Sequence, residues 1–177
     1  DTRSVYFEDM FIPKENILGS PSKGFKQFLK TLTGGRITIG SLALGTAQGA
    51  YQRALLYSKE REAFGKQINK FQGISFKLAD MATQIQAAKH LVYHAAYKKD
   101  NEEDVIREAA MAKLFASEMC MKVTTEAIQI LGGYGYIKEY DVERFFRDSK
   151  ILEIGEGTSE VQRIVISREI LNNINSI

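Results

Sequence analysis

The residues best suited to chemistry fall in four short segments that helix packing alone does not demand. The first is Glu156-Gly157-Thr158-Ser159-Glu160-Val161-Gln162-Arg163. A carboxylate can act as a general base, and the glycine after it lets a substrate lie against the backbone. The same acid also suits plain structure, because a helix N-terminus favours negative charge. The second segment is Arg61-Glu62-Ala63-Phe64-Gly65-Lys66, followed by Phe71-Gln72. Arg61 offers a planar guanidinium fork that matches a pyrophosphate, or it is simply a solvated charge. The third is Gln129-Ile130-Leu131-Gly132-Gly133-Tyr134-Gly135-Tyr136. Its paired glycines can bring backbone N–H groups to phosphate oxygens, or they stop a helix. The fourth, Phe146-Arg147-Asp148-Ser149-Lys150, carries charges suited to salt bridges.

Other chemistry-bearing residues point to nothing comparable. Cys120 is the sole cysteine, so it has no internal disulfide partner and reads as a small buried hydrophobe. His90 and His94 lie one helical turn apart, but the sequence supplies no third ligand, so no metal is expected. The net charge of +2 and the lack of a basic cluster interleaved with aromatics argue against a nucleic-acid partner. No apolar run reaches the roughly 20 residues that a membrane span needs, and signal-peptide organisation is missing, so the chain does not read as secreted.

The elements that must position these residues are helical. Both prolines, Pro13 and Pro21, lie near the start, and everything after them is free of the strongest helix breaker. Ser4 to Gly19 alternates and then turns. It reads as the last strand of a preceding domain whose other strands lie outside this sequence, which also lacks an initiator Met. Two parts are therefore expected, residues 1–20 as that tail and residues 21–177 as a helical bundle domain. Phe25, Phe28, Leu29 and Leu32 open a first helix that runs to about Ser58. Its many glycines imply close approach to a helix or ligand, or a kink near Gly34-Gly35. Ile74, Leu78, Met81, Ile85, Ala88, Val92 and Ala95 form the seam of a second helix.

A third helix, expected from about Glu102-Glu103-Asp104 to Gly132, faces inward with Val105, Ala109, Ala112, Ala116, Met119 and Val123. A short helix follows over Val142 to Ile151. The last opens at Ser159, where Ser159 and Gln162 fit a capping box and Val161, Ile164, Val165 and Leu171 predict a buried face. The fold class is all-α: an up-down four-helix bundle with an additional short helix, preceded by a short extended segment.

Taken together, in this order and spacing, the four segments resemble the acyl-CoA dehydrogenase family over nearly the whole chain. The resemblance implies the C-terminal helical domain of a flavoenzyme whose subunit also has an N-terminal helical domain and a middle β domain. It implies FAD as cofactor and α,β-dehydrogenation of an acyl-CoA thioester, with Glu156 removing the α-proton while hydride leaves the β-carbon for flavin. A carboxylate in water, with a pKa of about 4.3, is a poor base for so weak an acid. Burial between substrate and flavin would strengthen it. By the same resemblance, the backbone N–H of Glu156 and a flavin hydroxyl polarise the thioester carbonyl, and Gly157 gives the substrate room.

The resemblance further implies that Arg61, Phe64 and Gln72 reach the FAD of a neighbouring subunit, and that Gln129, Gly132 and Gly133 cradle that cofactor. Thr158 and Glu160 correspond to positions near the FAD of the same subunit, and Arg36 to a substrate-binding arginine. The implied partners are an electron-transfer flavoprotein and further copies of the chain, as homodimer or homotetramer. Bacterial cytoplasm and mitochondrial matrix both fit.

Many relatives have Gln where Glu160 stands, and three further positions bear on the comparison. Some relatives carry the base immediately before the arginine matching Arg36, where this chain has Gly35, which cannot act as one. Thr33 stands where relatives often have Asp. Gly155 stands where short- and medium-chain relatives commonly have Tyr, which suggests a pocket for longer or branched acyl chains. Two other readings are an acyl-CoA oxidase of the same fold and a non-catalytic helical oligomerisation module. The isolated chain is expected to be inactive, since one domain cannot hold FAD alone.

Overall fold

The computed structural model describes residues 3–172. Its helices are α1 (Gly24–Glu60), α2 (Gln72–Asp100), α3 (Ile106–Leu131), α4 (Gly133–Tyr136), α5 (Val142–Ile154) and α6 (Ser159–Asn172). A two-stranded antiparallel hairpin, β1 (Glu62–Ala63) and β2 (Lys66–Gln67), joins α1 to α2. The architecture is all-α, with three long helices packed together and α5 and α6 laid against them. Among the described residues, no helix is long and apolar enough to cross a membrane.

Small residues let the long helices approach closely. Ala43, Ala47, Ala50 and Ala54 of α1 are fully buried, as are Ala109, Ala112 and Ala116 of α3. Where α1, α2 and α3 meet, a Cβ on Gly40 would lie 3.3 Å from Val92 Cγ2 and 3.5 Å from the Ala112 backbone. α1 continues as one helix through Gly34-Gly35, and close approach accounts for Gly40 and Gly49, whose Cβ would lie 3.3 Å from Val92 and 3.2 Å from Phe145, but not for Gly45, whose Cβ would meet nothing within 4 Å.

The predicted seams are buried except for the half-buried Ile74: Leu78, Met81, Ile85, Ala88, Val92 and Ala95 on α2, and Ala109, Ala112, Ala116, Met119 and Val123 on α3, with Val105 at its N-cap. Cys120 sits among them, and burial pushes its thiol up to about 12, far from the reactive range. α3 begins at Ile106 rather than at the preceding acids. Asp104 stays outside, and its Oδ1 accepts the Ile106 N–H at 3.2 Å.

The apolar face expected on α6 is not buried: Val161, Ile164 and Leu171 are exposed and Val165 is only half-buried. The buried residues of this helix are Ser159 and Gln162. Periodicity marks an apolar stripe but not what covers it, and none of the described residues does. The cap also shifts by one residue, with Thr158 Oγ1 accepting the Val161 N–H at 3.4 Å. The Ser4–Gly19 segment has one short 3-10 turn, Lys14–Asn16, and no paired strand, and it leaves Val5, Tyr6, Phe7, Phe11 and Leu18 exposed. A strand needs a neighbour for its hydrogen bonds.

Candidate active site

Glu156 lies in the turn between α5 and α6. Its backbone is left-handed (φ 56°), and Gly157 follows at φ 95°. A non-glycine residue there is strained, and such strain persists only where surrounding contacts impose it. Two fully buried side chains supply those contacts. Gln162 Nε2 donates to the carbonyls of Glu156 (3.1 Å) and Gly157 (2.8 Å). Lys113 Nζ, reaching from α3, donates to the carbonyls of Glu153 (3.0 Å) and Gly157 (2.8 Å). Among the described residues, no acceptor takes the Glu156 N–H, which leaves a donor free at the turn.

The turn aims the Glu156 carboxylate at α1. A Cβ built on Gly35 would lie 2.5 Å from Glu156 Oε2. The next residue, Arg36, is buried, and its Nε has no hydrogen-bond partner among the described residues. Burial pulls the Arg36 guanidinium below its usual range, and the Glu156 charge opposes that shift. A half-buried carboxylate, a free backbone N–H and an unsatisfied buried cation thus converge on one place. Together they can take a proton, polarise a carbonyl and hold an anionic or carbonyl group.

Thr158 and Glu160 sit beside this turn at the start of α6. The Glu160 carboxyl is held below the usual carboxylate range, first by its own backbone N–H and then by the Thr158 hydroxyl.

The remaining predicted site residues gather at the far end of α1. Gly35 and Arg61 are 26 residues apart along it, which at 1.5 Å per residue is about 39 Å. There a cleft of about 520 Å³ brings Arg61 together with Gly132, Gly133, Tyr57 and Tyr134. Arg61 lies over the Tyr134 ring at 5.9 Å, and among the described residues no carboxylate pairs with it. A Cβ on Gly132 or Gly133 would meet no atom of the described residues within 4 Å. The room these glycines leave therefore opens outward. Gly132 also caps α3, with φ 61° and its N–H donating to Ile128 O at 2.9 Å. A cation without an acid partner, open glycine backbone and flanking tyrosines fit part of a dinucleotide such as FAD.

The hairpin beside this cleft places Phe64 and Gly65 at its tip, at φ 52° and 79°. Two positive φ values match the turn that closes a two-residue hairpin, where Asn-Gly is the usual pair. Phe64 is 96% exposed there, and Gln72 is exposed at the start of α2. Gln129 is exposed on the last turn of α3, one turn from Gly132. His90 lies exposed beside Gln86, Nε2 to Nε2 at 3.0 Å, away from either cluster.

Two residues of the site escape sequence reasoning. Lys113 belongs to none of the four segments, although a lysine at the register of buried Ala109 and Ala116 is a signal that it has a fixed partner. Gln162 is expected as a capping residue, whereas its side chain ties the turn.

Residues 22–171 match the family described as acyl-CoA dehydrogenase, C-terminal domain. The chain is 56% identical over 171 residues to a probable acyl-CoA dehydrogenase, YngJ, of Bacillus subtilis, covering 97% of this chain and 45% of that protein. It is 52% identical over 170 residues to the caffeyl-CoA reductase-Etf complex subunit CarC of Acetobacterium woodii, covering 96% and 45%. The structure of butyryl-CoA dehydrogenase from Megasphaera elsdenii superposes with a TM-score of 0.92 at 53% identity, over 93% of this chain and 43% of that one. The chain thus spans less than half the length of these relatives.

Proposed function

Because this chain belongs to the acyl-CoA dehydrogenase family, matching its C-terminal helical domain, we propose that within its full-length parent it provides the base and part of the FAD site for α,β-dehydrogenation of an acyl-CoA. The observation that carries this reading is the Glu156 carboxylate, aimed at Gly35 beside the buried, unsatisfied Arg36. Glu156 takes the α-proton, and the electron pair of that C–H bond becomes the new π bond as hydride leaves the β-carbon. The free Glu156 N–H donates to the thioester oxygen and stabilises the charge that builds there. Gly157 keeps the backbone low enough for the thioester to approach, and Arg36 holds an oxygen of the substrate. FAD, when bound, accepts the hydride.

The two clusters serve two different cofactors. About 39 Å along α1 is farther than one FAD reaches from its flavin ring to its phosphates. The Glu156 end, with Thr158 and Glu160, therefore faces the FAD of its own subunit. Arg61, Phe64, Gln72, Gln129, Gly132 and Gly133 hold the FAD of a second copy, so the active enzyme is a homodimer or homotetramer. Residues 21–177 form the bundle domain and residues 1–20 the tail of a preceding β domain. That tail's exposed Val5, Tyr6 and Phe7 find their cover in the parent. The isolated chain is inactive. Reduced flavin passes electrons to an electron-transfer flavoprotein, a reading supported by the Acetobacterium relative, itself a subunit of a reductase-Etf complex. The enzyme works in bacterial cytoplasm or mitochondrial matrix.

The test is anaerobic titration of the full-length parent with acyl-CoA, watching the visible flavin band, beside a Glu156→Gln variant. Bleaching in the parent alone supports Glu156 as base. Bleaching in both moves the base elsewhere, and a parent purified without flavin removes the flavoenzyme reading.

A further inference from the structure

Lys113 is fully buried on α3, at a position that a leucine or methionine would fill without burying a charge. Burial pulls its ammonium below the usual range, Glu153 opposes that most, and Arg36 adds to it. Among the described residues it makes no salt bridge. Its two hydrogen bonds go to main-chain carbonyls on either side of Glu156: Glu153 O at 3.0 Å and Gly157 O at 2.8 Å.

The position of those carbonyls explains the charge. Glu153 lies in the last turn of α5, whose carbonyls have no partner further along the helix, and a cation there also matches the helix dipole. Gly157 lies just before α6 and has the positive φ that turns the chain back. One ammonium group therefore ties the end of one helix to the approach of the next. It does so from α3, the helix richest in buried residues. Between the two carbonyls stands Glu156, in a backbone conformation that L-residues avoid and that only surrounding contacts can hold. Gln162 grips the Glu156 and Gly157 carbonyls from α6, so Gly157 O receives both donors.

We propose that Lys113 is a positioning residue for the reaction. By holding the carbonyls of Glu153 and Gly157, it locks the α5–α6 turn so that the Glu156 carboxylate stays over Gly35. Lys113 touches neither substrate nor cofactor and acts through the turn. The inference rests on Glu156 being the base, and it adds a requirement that family membership does not state: the base must be clamped to the core of the bundle.

The experiment uses the flavin-loaded, full-length parent and its Lys113→Met variant, which keeps side-chain length and volume but loses both hydrogen bonds. Stopped-flow flavin reduction is followed with acyl-CoA and with its α-deuterated form. The expected result is retained FAD, a KM within about three-fold of the parent, and a reduction rate at saturation lower by roughly 10- to 100-fold. The α-deuterium isotope effect rises as proton abstraction becomes more rate-limiting. In a Lys113→Ala variant, added propylammonium ion restores part of the rate, whereas propanol does not. Flavin-loaded Lys113→Met reducing at the parent's rate would overturn the proposal. So would a loss fully explained by missing FAD, or failure of both variants to hold FAD, because each leaves Lys113 a folding residue only. The underlying reading fails separately, through flavin reduction by Glu156→Gln with Lys113 intact.

Discussion

The Glu156 carboxylate fills the space that a side chain on Gly35 would need, with Oε2 only 2.5 Å from where that Cβ would stand. A residue on the α5–α6 turn and a residue on α1 therefore compete for one volume. This gives the absence of a side chain at position 35 a physical reason. The Glu156 carboxylate and a side chain at position 35 cannot both occupy that point.

Gly35→Ala should push the carboxylate aside without disturbing α1, since alanine is the better helix residue. We expect kcat/KM of the full-length parent to fall by about 10- to 100-fold with FAD retained. Moving the carboxylate, as Gly35→Glu with Glu156→Gly, should recover activity above that of Glu156→Gly alone. No difference between Gly35→Ala and the parent in steady-state turnover would show that the carboxylate can retreat from α1 at no cost.

Phe64 combines a left-handed backbone (φ 52°) with 96% exposure, offset only by an edge-on approach to the Phe71 ring, 6.2 Å between centroids. Phe64→Gly should relieve strain of order 1 kcal/mol, so the chain's own stability should hold or rise. In the assembled parent the same change should weaken FAD retention. Thermal unfolding of the chain and flavin content of the parent after gel filtration separate the two effects. Unchanged flavin content would remove Phe64 from the neighbour's site.

How much of this is legible in the sequence follows from how local each signal is. The seams of α2 and α3 can be read because Leu78 to Ala95 and Ala109 to Val123 repeat at helical spacing and are covered within the chain. The exposed Val161, Ile164 and Leu171 carry the same kind of pattern, but no described residue covers them, and spacing alone does not say whether a stripe is covered. Glu156 is legible through its motif, whereas the left-handed turn that aims it is not. Lys113, 43 positions before Glu156, donates to that turn, and no short-range pattern links the two. The hairpin at Arg61 is also hidden, because Phe-Gly replaces the usual Asn-Gly signal.

Gly155 has an ordinary extended backbone (φ −60°, ψ 151°), and a Cβ there would touch only Ile151 O, at 3.4 Å. A Cβ is thus tolerated by the described residues, and glycine leaves room next to Glu156. Gly155→Tyr should fold normally and shift kcat/KM toward short acyl chains, with long-chain substrates losing about 10-fold or more. A chain-length profile that stays the same would sever Gly155 from the acyl pocket.

Glu108, on the first turn of α3, ties that helix to the end of α2. Its Oε1 accepts from Lys98 Nζ at 2.9 Å and from Arg107 at 2.8 Å. Burial alone would push this carboxyl up, but the hydrogen bonds from Lys98 and Arg107 outweigh it and bring it from 4.5 down to about 2. Because the folded-state value lies below the unfolded one, the stabilisation is complete above pH 4.5 and fades as pH falls toward 2. Lys98 and Arg107 are 19% and 24% exposed, so solvent screening reduces the contribution to about 1–2 kcal/mol. Glu108→Gln should therefore unfold at lower urea concentration than the parent sequence at pH 7. The gap should narrow steadily below pH 4.5, because protonation then removes in the parent what the substitution removes at every pH. A gap that stays constant down to pH 3 would mean that the charge on Glu108 contributes nothing and that only its shape matters.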